Sequence, residues 1–126
     1  QVIQRFPDSK YAKDSFQKKI LVKSNIAAKH MEIGRFYLNN KKYIAALNRF
    51  KIVIDEFSIT KFTPEALHRM VEAYYEMGMY EDSYNTAALL GYNYPDSKWY
   101  KLSYNLVEQI DGEETFLKKI RNFFDG

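Results

Sequence analysis

Apolar residues recur every three to four positions along almost the whole chain, and no stretch alternates as a half-buried strand does. Between Asp8 and Asn40 there is no proline and a single glycine, Gly34. Ala12, Phe16, Ile20, Ala27, Met31, Gly34 and Leu38 fall on one face at spacings of 4, 4, 7, 4, 3 and 4. That is the period of an amphipathic helix. Asp8 or Ser9, after Pro7, supplies its N-cap. The pattern predicts one helix from about Lys10 to Asn39, long against a mean of about 12 residues. A break near Ser24-Asn25 is compatible with the sequence, but nothing there forces one.

Asn39-Asn40-Lys41-Lys42 reads as a tight turn. Tyr43, Ala46-Leu47, Phe50, Val53-Ile54 and Phe57 predict a second helix ending near Phe57-Ser58. Thr63-Pro64-Glu65 is a helix start, with Thr63 expected as N-cap, Pro64 at the first position and an acid near the positive end. Leu67, Met70-Val71, Tyr74 and Met77 carry that helix to Gly78, which ends it. Tyr80, Ser83-Tyr84, Ala87 and Leu90 mark a fourth, stopped by Pro95. Asp96-Ser97 caps a fifth, expected to run to about Gln109. Asp111-Gly112 reads as a turn. A short last helix then places Phe116-Leu117, Ile120 and Phe123-Phe124 on one side.

One phrase occurs twice. Phe6-Pro7-Asp8-Ser9-Lys10-Tyr11 returns as Tyr94-Pro95-Asp96-Ser97-Lys98-Trp99, 88 positions later. Inside that frame the pattern repeats at an offset of 37: Tyr37 maps to Tyr74, Tyr43 to Tyr80, Ala46 to Ser83, and Phe57-Ser58 to Tyr94-Pro95. Gly34 and Ala46 fall where two antiparallel helices must approach closely, and the aromatics fill the wider spaces. The fold class that follows is all-α, a solenoid of helical hairpins containing one unusually long helix.

Composition adds limits. The 126 residues are 46% hydrophobic and 17% aromatic, enough to bury a core, and tyrosine outnumbers tryptophan 11 to 1. Tyrosine suits half-buried seams, where the ring packs and the hydroxyl stays wet. Cysteine is absent, so neither disulfides nor thiolate metal sites exist here. The net charge of +3 conceals an asymmetry. Residues 1–63 carry 13 basic and 5 acidic side chains; residues 64–126 carry 6 and 11. Gln1 to Phe6 reads like the last turn of a helix, which implies a fragment or processed product of a longer chain.

Ile33-Gly34, Tyr37, Ala46 and Phe50 match the packing positions of the tetratricopeptide repeat, with Ser58 where that repeat usually has proline. The second copy is weaker: Val71, Ser83 and Ala87 replace the glycine, the alanine and the aromatic. Other blocks narrow the resemblance. They are Phe6-Pro7-Asp8-Ser9-x-Tyr11, Gly34-Arg35-Phe36-Tyr37, Tyr43 through Phe50, Thr63-Pro64-Glu65-Ala66-Leu67, Glu72-Ala73-Tyr74, and Asn93 through Tyr100. In that order and spacing, residues 1 to about 108 resemble the BamD/ComL family, tetratricopeptide lipoproteins of the outer-membrane β-barrel assembly machinery. The matching part is the family's C-terminal half.

The resemblance implies a division of the chain into repeats over 1–110 and a C-terminal amphipathic helix over 111–126, whose role it leaves open. It also implies a place on the periplasmic face of the outer membrane, held by a lipid anchor outside this chain. The implied partners are the periplasmic domains of the barrel-forming subunit BamA, with the other lipoproteins of the machinery. Asn48-Arg49 is the pair that the family motif places against the partner's acidic surface. The basic turn of Asn40, Lys41 and Lys42 adjoins it. A guanidinium beside a carboxylate gives an oriented, bidentate contact.

Other chemistries find little support. His30 and His68 have no His or Cys partner at metal-ligand spacing, which leaves packing or surface roles. Glu65, Glu72 and Glu76 share one helix at a spacing that gives a solvated face. Glu81-Asp82 reads as a helix start. There is no phosphate loop, cysteine nucleophile or G-x-S-x-G setting. The expectation is a non-enzyme without cofactors. Lys10, Lys13, Lys18, Lys19, Lys23 and Lys29 scatter around their helix, so no lysine stripe exists for nucleic acid. No stretch is long and apolar enough to span a membrane. The rival reading is a generic tetratricopeptide module that clamps an acidic tail, as a co-chaperone does. Such a clamp needs basic groove residues, and the inward first-helix positions here are mostly aromatic and apolar. The final helix either caps the solenoid's open end or docks on a membrane surface or partner groove.

Overall fold

A computed structural model describes the backbone of residues 10–125 and the side chains of residue 10, residues 12–110 and residue 121. Five helices follow one another: α1 (Lys10–Asn39), α2 (Tyr43–Glu56), α3 (Thr63–Glu76), α4 (Tyr80–Asn93) and α5 (Lys98–Asp125). No strand occurs among the described residues. Each helix packs on its sequence neighbours, and α3 also touches α1 and α5. This is the stacking of a helical solenoid. The first copy of the twin phrase, Phe6 to Ser9, with the N-cap expected at Asp8 or Ser9, lies outside the described residues.

α1 is one helix of 30 residues, unbroken at Ser24-Asn25. It ends in a Schellman motif, in which a left-handed residue lets two amides close the last turn. The Lys41 amide donates to Leu38 O and the Lys42 amide to Tyr37 O, at 3.0 and 2.9 Å. α3 ends identically, with the Gly78 amide on Tyr75 O and the Met79 amide on Tyr74 O. The left-handed residue is Gly78 in one (φ 75°) and Lys41 in the other (φ 62°).

The first core cluster joins Ala27 and Met31 of α1, Ala46, Phe50 and Val53 of α2, and Ala66, Met70 and Ala73 of α3. Gly34 belongs to this seam, as its spacing predicted. A Cβ there meets Phe50 Cε1 at 2.5 Å, so only glycine lets the ring lie against the α1 backbone. Gly91 does the same for Tyr100, at 2.4 Å. A second cluster joins Val71 of α3, Ala87 of α4, and Val107 and Ile110 of α5. Ser83 fits beneath α3, where its hydroxyl donates to Val71 O at 3.0 Å.

Three local expectations change. Thr63 is not the N-cap of α3. Phe62 occupies that place, and Thr63 is the first helical residue. Its hydroxyl instead donates backwards to Ser58 O at 2.9 Å, which ties down the preceding loop. By contrast Ser97 does cap α5, its Oγ accepting from the Trp99 amide at 3.1 Å. The second change is at Asp111-Gly112, where α5 continues as helix to Asp125 rather than turning. A glycine in a helix interior costs only about 1 kcal/mol, which does not stop a helix by itself. The third concerns Glu65 and the ionic row described next.

Candidate functional site

Beside the apolar core that α1 and α3 share, an ionic row runs along α3 and reaches α1 through Arg35. Glu65, only 14% exposed, accepts from Arg35 of α1 at 2.9 Å and from Arg69 at 3.2 Å. Arg69 reaches on to Glu72 at 2.9 Å. Glu65 and Glu72 therefore do not form a solvated face, although Glu76 is exposed. Alternating charges neutralise one another along the row, so its half-buried carboxylates keep hydrogen-bonded partners. The row leads to α5. Arg69 lies over the Trp99 ring, 5.2 Å from its centroid, and Lys98 lies over the same ring at 5.0 Å.

His68 sits beneath this row, buried, with Nδ1 2.7 Å from Ser103 Oγ and Nε2 3.6 Å from Glu72. Trp99 packs against its ring. Burial depresses the imidazole pKa below its ordinary value, and Arg69 adds to this; Glu72 and Glu65 oppose it. His68 is thus a packing residue that stitches α3 to α5. His30 also packs, its ring 5.8 Å from that of Phe57.

The sequence-derived partner residues fall in two places. Arg49 is half-buried in the α1–α2 hairpin, with Nη1 3.3 Å from His30 Nδ1. The guanidinium donates and Nδ1 accepts, which assigns the ring hydrogen to Nε2. Arg35 and Arg69 both have carboxylate partners, whereas Arg49 has none among the described residues. Asn48 beside it is exposed. Asn40, Lys41 and Lys42 are exposed at the α1–α2 turn. Asn40 is partly committed, since its Nδ2 donates to Phe36 O at 2.7 Å. Lys41 borders a groove of about 350 Å³ together with Tyr43, Arg69, Glu72 and Glu76. The row Arg35–Glu65–Arg69–Glu72 was not foreseen. Its i,i+3 and i,i+4 spacings within α3 were the available signal.

The model of a family described as YfiO, outer membrane lipoprotein, matches residues 1–90. The chain belongs to this family. It is 49% identical over 107 residues to the outer membrane protein assembly factor BamD of Rickettsia prowazekii, an alignment covering 85% of this chain and 43% of that protein. It is 45% identical over 106 residues to BamD of Caulobacter vibrioides, covering 84% of this chain and 35% of that protein. BamD of Neisseria gonorrhoeae is 31% identical over 97 residues. The chain spans less than half the length of these relatives. The names of the family and of these relatives are those of a lipoprotein and an assembly factor, not of an enzyme. The resemblance noted in the sequence therefore holds.

Proposed function

We propose that the chain is a non-catalytic docking module for outer-membrane protein assembly, and that the Arg49 side of its first hairpin receives an acidic surface of the periplasmic domains of BamA. The relatives' shared name, outer membrane protein assembly factor, supports the process. One observation supports the place: Arg49 is half-buried and held by His30, yet lacks a carboxylate among the described residues. A guanidinium fixed on one edge and free on the other is preorganised for a bidentate carboxylate supplied by a partner. Asn48 adds an exposed amide beside it, while Lys41 and Lys42 add positive field that speeds encounter. Other lipoproteins of the assembly machinery are further partners in this reading, at the periplasmic face of the outer membrane and with a lipid anchor outside residues 1–126.

The same geometry disfavours an acidic-tail clamp. Arg35 and Arg69, the basic residues on the α1–α3 face, are already neutralised by Glu65 and Glu72. The deciding experiment is pull-down of BamA's membrane-proximal periplasmic domain by the full-length protein. Arg49→Glu is expected to abolish it, with circular dichroism unchanged. Undiminished capture by that variant would refute the assignment.

A further inference from the structure

A groove of about 540 Å³ runs between α4 and α5, walled by Tyr84, Ala88, Tyr100, Tyr104 and Glu108. A second hollow of about 410 Å³, bordered by Pro95, Tyr100 and Lys101, shares Tyr100 and Tyr104 with it. The two form one trough along α5. Glu108, one turn on from Tyr104, raises the pKa of its hydroxyl. Tyr84 and Tyr104 are nevertheless 47% and 49% exposed. Half-exposed tyrosines in a concave seam are the side chains that dominate binding hot spots.

The internal repeat says what such a trough holds. The positions 37 residues earlier than Tyr84, Tyr104 and Glu108 are Leu47, Leu67 and Val71. Those three are 4%, 3% and 0% exposed. Val71 is covered by α4, through Ala87, and by α5, through Val107 and Ile110. On α5 the corresponding face has no such cover among the described residues. Where α3 stops and turns at Gly78, α5 runs on to Asp125. Its last 15 residues continue the same helix for about 22 Å rather than turning back as the chain does after α3.

Charge sets the direction of an occupant. Glu108 stands at one end of the trough, and Glu81 shares the i,i+3 face of Tyr84 beside it; Lys101 stands at the other end. A helix antiparallel to α5, as α4 is to α3, brings its positive N-terminus to Glu108 and Glu81 and its negative C-terminus to Lys101. We propose that the α4–α5 trough is a second docking site, separate from Arg49, for an amphipathic helix of another polypeptide. That helix lies antiparallel to α5, carries small or apolar residues at i, i+3 and i+4 spacing, and has a basic residue in its first turn.

The test is site-specific photo-crosslinking in cells from the full-length protein, with a photoreactive residue at Tyr104 or at Ala88, and at Tyr92 as a control outside the trough. Adducts from both trough positions are expected to map to one segment of a different polypeptide, at residues three or four apart with Lys or Arg within a turn. A synthetic peptide of that segment then binds the purified protein. Glu108→Lys should weaken both adduct and peptide binding by about tenfold or more, through like-charge repulsion. Arg49→Glu should leave both unchanged, which separates this site from the one proposed above. Adducts within the same chain or with a second copy overturn the proposal. So do contacts without helical spacing, adducts equal to those from Tyr92, peptide binding that ignores Glu108→Lys, or no adduct at all.

Discussion

Lys41 and Gly78 hold the same backbone position one repeat apart, each the left-handed residue that closes a Schellman motif, at φ 62° and 75°. The hydrogen bonds around them match pair for pair, ending on Tyr37 and Tyr74. A lysine in this conformation suffers a Cβ clash that glycine lacks. Its retention fits the basic turn that the docking reading assigns to Lys41 and Lys42. Lys41→Gly is therefore expected to stabilise the protein by about 0.5–1 kcal/mol. Urea denaturation should show the midpoint rising with an unchanged slope.

Gly34→Ala is expected to do the reverse. The new Cβ arrives 2.5 Å from the Phe50 ring, which is itself fully buried and has nowhere to retreat. Overpacking of this kind costs about 1–3 kcal/mol. The thermal midpoint should fall accordingly, and Gly34→Ala combined with Phe50→Leu should lose less than the two changes added together.

Acid should loosen the joint between α3 and α5. The folded state holds the His68 pKa below 6.5 through burial, so protons bind more tightly to the unfolded chain. The contribution of His68 to stability is complete above pH 6.5 and is lost as pH falls through that value and below. Wild type should lose more thermal stability than His68→Gln between pH 7.5 and pH 5.5. Equal losses would show that another group controls the response.

Glu65→Ala removes the acceptor shared by Arg35 and Arg69. Both arginines keep some access to water, so the loss is moderate, about 1–2 kcal/mol. Arg35→Ala in the same background should then cost little more, since its partner is already gone. A double-mutant cycle by urea denaturation measures the coupling.

Much of this fold is legible along the chain because helical periodicity is a local signal. The unbroken course of α1 and its end at Asn39 follow from a continuous apolar face and a polar turn. The need for Gly34 follows from its pairing with bulky Phe50 one helix later. What escaped was either ambiguous locally or not local at all. Asp111-Gly112 carries turn chemistry, but a turn also requires the chain to gain something by folding back. Thr63 has the right side chain for a cap, yet its hydroxyl does more for the loop behind it. Arg35 and Glu65 are 30 residues apart, and His68 and Ser103 are 35 apart. No spacing rule within one helix reveals such pairs. The exposed tyrosines of α4 and α5 become informative only when set against their buried counterparts one repeat earlier.

α1 is about 45 Å long, whereas α2, which packs on it, is about 21 Å long. Roughly half of α1 therefore stands out past its partner, carrying exposed Phe16, Leu21 and Val22. With no proline and no break at Ser24-Asn25, this half is a stiff arm, not a tether. A tilt of about 10° at the hairpin carries the far end through about 4 Å. A small change of angle at the Arg49 hairpin is therefore a displacement of atomic size at the far end of α1.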